Sequence, residues 1–299
     1  MERTSPSAPA PRCLLQVHAH PDDEASKGGG TNARYHAEGV RCVLVTCTGG
    51  EAGEVLNPAI DTPETRANLA AIRAEELRES AEILGYDEVY LLGYHDSGMP
   101  DTEVNARPDN FANAPLAEAT ERLVRIIRAE RPQVIIAYDE DREWYPHPDH
   151  LRVHEVSVAA FDAAGSADAF PDAGPPWQPL KLYFCGWSRR RVVALHDAHL
   201  ELSLESPYAR WLEHPNWASD APDSVFSDDR WTTHIDVSDY LSHRRAALLA
   251  HRTQVDPEGF WMTLSDETIR AAFPYEEYRL ARTLVDTEIP EDDLFAGIP

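Results

Sequence analysis

A chain of 299 residues, 42% hydrophobic and 26% charged, is long enough for one large α/β domain or two ordinary ones with a sizeable core. Its 52 acidic against 27 basic residues give a formal net charge of -25, which argues against nucleic acid or an anionic membrane surface as partner. No run approaches the roughly 20 apolar residues of a membrane span, and Cys13, Cys42, Cys47 and Cys185, without CxxC spacing, read as reduced thiols of a cytoplasmic protein.

In chain order, residues 1–11 read as a disordered lead without the basic-then-apolar layout of a secretory signal. "CLLQVHAH" is apolar and branched enough for a buried strand. "ASKGGGTNARYHAEG" reads as a loop and a helix closed by Gly39, and "VRCVLVTCT" as a second buried strand. Thr62 and Pro63 supply an N-cap and first-turn proline for one helix that runs to a stop at Gly85. "EVYLLGY", "PLAEATERLVRIIRAER", "PQVIIAYD" and "PDHLRVHEVSVAAFDAAG" continue as strand, helix, strand and helix. Strands apolar throughout, alternating with helices, imply an α/β fold with a mostly parallel sheet covered on both faces. Residues 166–179 and 207–230, rich in Pro, Asp and Ser, read as long loops. "LKLYFCGW", "WTTHIDV" and the helix "SDYLSHRRAALLAHRTQ" lie between and after them, and the acidic tail "IPEDDLFAGIP" is expected at the surface or loose.

Ligands of open α/β sheets collect at the carboxyl ends of strands. His18 to Glu24, Thr48 to Glu54, Tyr94 to Gly98 and Tyr138 to His150 all follow strands and converge on that edge. The acids of "HAHPDDE" repel one another unless something positive sits among them. His20, Asp23 and His150, the last from "YPHPDH", offer two imidazoles and a carboxylate with an open position, the ligand set of a catalytic metal site. A divalent cation there would let Asp22, Asp23 and Glu24 coexist. If the segment is extended, Asp23 faces the metal and Asp22 the metal-bound water, as a general base; zinc lowers the pKa of that water from about 16 to about 7. His147 is placed to stabilise an oxyanion, with Tyr145 assisting. His18 reads as a buried supporting group and His154 as packing or solvent-facing. Glu51 and Glu54 of "TGGEAGE" bind substrate hydroxyls or face water, and Arg73 and Asp96 either hold a polar substrate or form an ordinary ion pair. Two other classes stay open: an iron facial-triad oxygenase, which usually sits on an all-β scaffold, and a sugar- or metal-binding module without catalysis.

"AHPDDE" with "HPDH" resembles the LmbE-like (PIG-L) zinc-dependent N-acyl hydrolases, which cleave N-acetyl or related amides from amino sugars. The resemblance implies a Rossmann-like catalytic core over residues 12–165 and a smaller mixed portion, residues 166–299, completing the substrate pocket of one integrated domain. It implies zinc, or another divalent metal such as Fe2+, on His20, Asp23 and His150. Asp22 would be the general base, His147 the group stabilising the oxyanion or protonating the leaving amine, and Tyr145 a lining residue. Within the family, "HAHPDDEASKGGGTNARY", "CTGGEAGEVLNPA", "GYHDSGMP", "YPHPDHLRVHEVSVAAF" and "LLAHRTQVDPEGFW" resemble the branch that cuts mycothiol S-conjugates into an N-acetylcysteine S-conjugate and glucosaminyl-inositol. Lys27 matches a lysine of that branch, and Arg73 and Asp96 match residues that contact the sugar–inositol part. The partner implied is a small-molecule thiol–sugar conjugate, in detoxification or antibiotic biosynthesis; the alternative is an N-deacetylase of an N-acetylglucosaminyl-inositol or other N-acetylated amino sugar. The sequence does not set the oligomeric state.

Overall fold

A computed structural model describes residues 11–140, 142, 145–213 and 227–299. The expected lead at 1–11 lies outside them but for its last residue, as does most of the expected loop at 207–230.

The first half alternates as the sequence implies. Strand β1 (Cys13–His18) leads through the one-turn helix α1 (Asp23–Ser26) into α2 (Gly29–Ala37) and β2 (Arg41–Thr48). Thr62 caps the next helix by accepting the Thr65 N–H, with Pro63 in the first turn, but the single helix expected up to Gly85 is two. Asn68 leaves helical geometry at φ -112 and separates α3 (Pro63–Ala67) from α4 (Leu69–Leu84), its side-chain amide donating to the Glu64 carbonyl. There follow β3 (Glu88–Tyr94), α5 (Leu116–Glu130), β4 (Val134–Tyr138) and α6 (Pro148–Ala164). The second half contributes β5 (Lys181–Gly186), α7 (Arg189–Glu201), α8 (Ala209–Leu212), β6 (Thr233–Asp236), α9 (Leu241–Ala250), α10 (Asp266–Ala272) and β7 (Tyr275–Thr283).

One seven-stranded sheet takes the order β3-β2-β1-β4-β5-β7-β6. Its first five strands are parallel; β7 runs antiparallel to both β5 and β6. Side chains alternate across β1, so Leu15 and Val17 join the core under α5 and α6 while Leu14 faces the core that holds Tyr35 and Phe295. β3 departs from the expectation of strands apolar throughout: it is the sheet edge and leaves Leu91 exposed. The tail is also corrected. Leu294, Phe295 and Ile298 are buried, the Tyr35 hydroxyl donates to Asp293 and accepts the Leu294 N–H, and buried Glu291 pairs with Lys181 at 2.5 Å. Apolar side chains among the tail's acids bury enough surface to outweigh its charge.

The chain order reverses at β1, whose neighbours are β2 on one side and β4 on the other. The crevice at their carboxyl ends is where such sheets bind ligands, and the segments leaving β1 and β4 are those that carry "HPDDE" and "HPDH".

Candidate active site at the β1–β4 crevice

After β1 the chain turns at Asp22, which sits in the left-handed region (φ 112) as the residue before α1. The extended alternation expected of this segment is therefore replaced by a helix start, and this turn is what parts Asp22 from Asp23. Its backbone N–H is held by Glu24 Oε2 at 2.9 Å. The three acids do not need a shared metal to coexist, because each has its own protein cation. Asp22 meets Arg73 at 3.1 Å, Asp23 meets Lys27 Nζ at 2.5 Å, and buried Glu24 meets His251 Nε2 at 2.6 Å. Burial raises the Asp22 carboxyl above its ordinary value while Arg73 restrains it. Burial also opposes charge on Asp23 and Glu24, yet Lys27 and His150 hold Asp23 well below the usual range and His251 lowers Glu24.

His20, Asp23 and His150 are brought together with ligand atoms all within 4.8 Å of one another, every one of the three residues buried. His150, in the first turn of α6 after Pro148, stacks on Tyr138 at 4.5 Å. Its Nε2 is sealed from solvent without a hydrogen-bond partner, 3.4 Å from Asp23 Oδ2, and burial pushes the ring down to about 3. An orphaned imidazole nitrogen beside a carboxylate and a second imidazole fits a cation-binding site. Burial works against charge on His20 too, but hydrogen bonds to Asp149 and Asp23 overcome it and push the ring up to about 10.

His147 caps α6: its Nδ1 accepts the Asp149 N–H at 3.2 Å, so the neutral ring carries its proton on Nε2. Burial and the neighbouring His20 lower its pKa. Its ring lies 4.6 Å from that of His20, and a second group that could hold a cation comprises His20, Asp96, His147 and Asp149. Tyr145 is half-exposed, 4.9 Å from the His150 ring.

Arg73 is buried, and its guanidinium also donates to the carbonyls of Gly50 and Pro21, both at 2.5 Å. Gly50 is required here: its φ is +65, and a Cβ would stand 2.4 Å from that guanidinium. Asp96, 3.7 Å from His20 Nε2, accepts the N–H groups of Gly98 and Ala52. Glu51 Oε1 meets His95 at 2.8 Å, and Glu54 is exposed. His18 stays out of the cluster, bonded to Tyr138 and Gln16, while His154 bonds the Tyr138 carbonyl and packs on Phe184.

Comparison with known proteins bears on what this cluster is. The family model described as GlcNAc-PI de-N-acetylase, PIG-L, matches residues 15–161. Mycothiol S-conjugate amidase of Streptomyces coelicolor is 44% identical over 291 residues, 95% of this chain and 97% of that protein. The chain belongs to the PIG-L family. Another relative, the 1D-myo-inositol 2-acetamido-2-deoxy-alpha-D-glucopyranoside deacetylase of Geodermatophilus obscurus, is 39% identical over 96% of this chain and 98% of its own length. Among solved structures, the N,N'-diacetylchitobiose deacetylase of Pyrococcus horikoshii shares the fold with a TM-score of 0.61 at 20% identity, over 90% of this chain and 83% of that one. Its PIG-L relatives are thus an amidase and deacetylases, and the His/Asp cluster can hold a metal ion. No helix among the described residues is long and apolar enough to cross a membrane.

Beside the PIG-L cluster opens a cavity of about 370 Å³ whose wall includes Lys27, Tyr145 and His150. Most of the rest comes from beyond residue 166, with Trp187, Trp211, Trp231 and Trp261 prominent. Sequence reasoning did not single out these tryptophans, which are scattered over two loops and two short helices. It also passed over two buried supports. Asp149 accepts from His20 at 3.2 Å, from the Ser97 N–H at 2.9 Å and from the Ser97 hydroxyl; His251 holds Glu24. Asp149 stood inside the quoted "HPDH", and an acid in the first turn of a helix is the one signal that marks it.

Proposed function

We propose that this PIG-L protein is an amidase of mycothiol S-conjugates, releasing an N-acetylcysteine S-conjugate and glucosaminyl-inositol. Residues 12–165 would carry the reacting groups and residues 166–299 the wall for the acyl half of the substrate. His20, Asp23 and His150 would hold the metal, which we take to be zinc; bound there it supplies an acidified water and polarises the scissile carbonyl. Asp22 takes the proton of the attacking water, its carboxylate oriented by Arg73. His147 donates a hydrogen bond from Nε2 to the oxyanion, and the proton that Asp22 took passes to the leaving amine, with Tyr145 beside them. Asp96 and Glu51 meet sugar or inositol hydroxyls, and Lys27 borders the acyl group. Arg73, whose guanidinium already serves Asp22 and two carbonyls, acts on the sugar only through that base. The buried free thiols Cys13, Cys42 and Cys47 suit a reducing cytoplasm.

The observation that carries this reading over a deacetylase is the aromatic chamber beside Lys27 and His150. An acetyl group leaves such a space empty, whereas an S-linked substituent fills it with apolar contact. Metal-loaded protein incubated separately with a mycothiol S-conjugate and with N-acetylglucosaminyl-inositol, the products weighed by mass spectrometry, decides between them. We expect kcat/KM for the conjugate to exceed that for the acetylated sugar by at least about tenfold, roughly 1.4 kcal/mol of transition-state preference. A chelator should stop turnover. The reverse ratio would make it a deacetylase.

A further inference from the structure

The chamber is bordered by a cation that no ion pair holds among the described residues. Arg191 lies in the first turn of α7, where Ser188 caps the helix by accepting its backbone N–H. It is only 8% exposed and borders the cavity. Its guanidinium carbon stands 4.0 Å over the ring of Trp187, and among the described residues it forms no hydrogen bond or ion pair. Beside the chamber, it also lines a smaller neighbouring cavity with Tyr208 and Arg244.

Each acid on the same wall has other partners, though Glu277 Oε1 accepts no hydrogen bond. Asp139 is clamped by Arg230 and Arg279, and Glu276 accepts the N–H groups of Gly30 and Thr31 with Arg244 at 3.7 Å. Glu277 accepts the Ser188 N–H, its other oxygen 3.5 Å from His234. A secluded guanidinium left unpaired is unfavourable, and an anion arriving in the chamber gains a charge-assisted, two-pronged bond together with the positive end of α7.

We propose that Arg191 is an anion-anchoring subsite that selects aromatic S-substituents bearing a carboxylate. The ring would stack among the tryptophans and the carboxylate would meet the guanidinium. This rests on the amidase reading for the origin of the ligand, so its test uses binding, not turnover. N-acetyl-S-benzylcysteine methylamide and its 4-carboxybenzyl counterpart, acyl halves without the sugar, are titrated by calorimetry into the metal-loaded full chain. We expect the carboxylated ligand to bind about tenfold tighter, with Arg191→Met bringing the two within about twofold and Arg191→Lys keeping an intermediate preference. Equal binding by the wild type, or a preference that survives Arg191→Met, overturns the proposal. Should Arg191→Met not fold, the wild type and Arg191→Lys decide: an undiminished preference in the lysine variant counts against bidentate anchoring. Loss of the amidase reading would show separately, as failure to cut any S-conjugate.

Discussion

Asp22 and Glu24 stand two residues apart with opposite duties. Asp22 is partly open, with its carboxyl raised by burial and Arg73 3.1 Å away; of the trio it is the one proposed as the base. Asp22→Asn keeps an acceptor for Arg73 and removes the base, so kcat/KM should fall about 10²- to 10⁴-fold while melting temperature and metal content stay put. Unchanged turnover would take the role from this residue. Glu24 is wholly buried and binds His251, Ser80 and the Asp22 N–H together. Glu24→Ala strands a buried imidazole and should cost about 3–5 kcal/mol in urea unfolding; a loss under about 1 kcal/mol would mean the pair is a bystander.

Asp139, just past β4, ties that strand to β7 through Arg279 at 2.6 Å and to the turn before β6 through Arg230 at 2.5 Å. Burial opposes its charge, but the two guanidinium groups win and hold it below its ordinary 3.8. A carboxyl lowered in the folded state contributes stability above the unfolded value and loses it as pH drops through the folded one. Asp139→Asn should therefore be less stable than wild type by about 1–3 kcal/mol at pH 7, with the gap closing below about pH 4; a gap constant with pH would assign the effect to packing. The same neighbourhood explains what could be read in advance. β1, β2 and β4 are legible because both their faces are covered, so no polar alternation dilutes the apolar run. β7 is not, because Glu276 and Glu277 stand buried near its start, one serving the start of α2 and the other the start of α7. His20, Asp23 and His150 are legible from motif spacing, whereas Asp149 and His251 act on other site residues and Arg191 borders a chamber put together from strand ends, helix turns and loops far apart in the chain, none of which leaves a periodic trace.

Across the whole molecule the cluster joins what the sequence separates: His20 and Asp23 follow β1, and His150 opens α6 beyond β4. The molecule carries a formal charge of -25, and the cluster adds buried carboxylates at the junction of the two strands. A divalent ion held there as proposed would be bound by the folded chain and not by the unfolded one, and so would stabilise the fold by mass action. At one hundred times its dissociation constant the gain is about 2.7 kcal/mol, which for a chain of this size moves the melting temperature by roughly 5 °C. Protein stripped by a chelator and dialysed should melt lower by that order, and titrated zinc should restore it. His150→Ala, lacking one ligand, should show little response to zinc over the same range. A wild type whose melting is indifferent to stripping and to zinc alike would mean that the three side chains do not share an ion, and the hydrolytic reading would go with them.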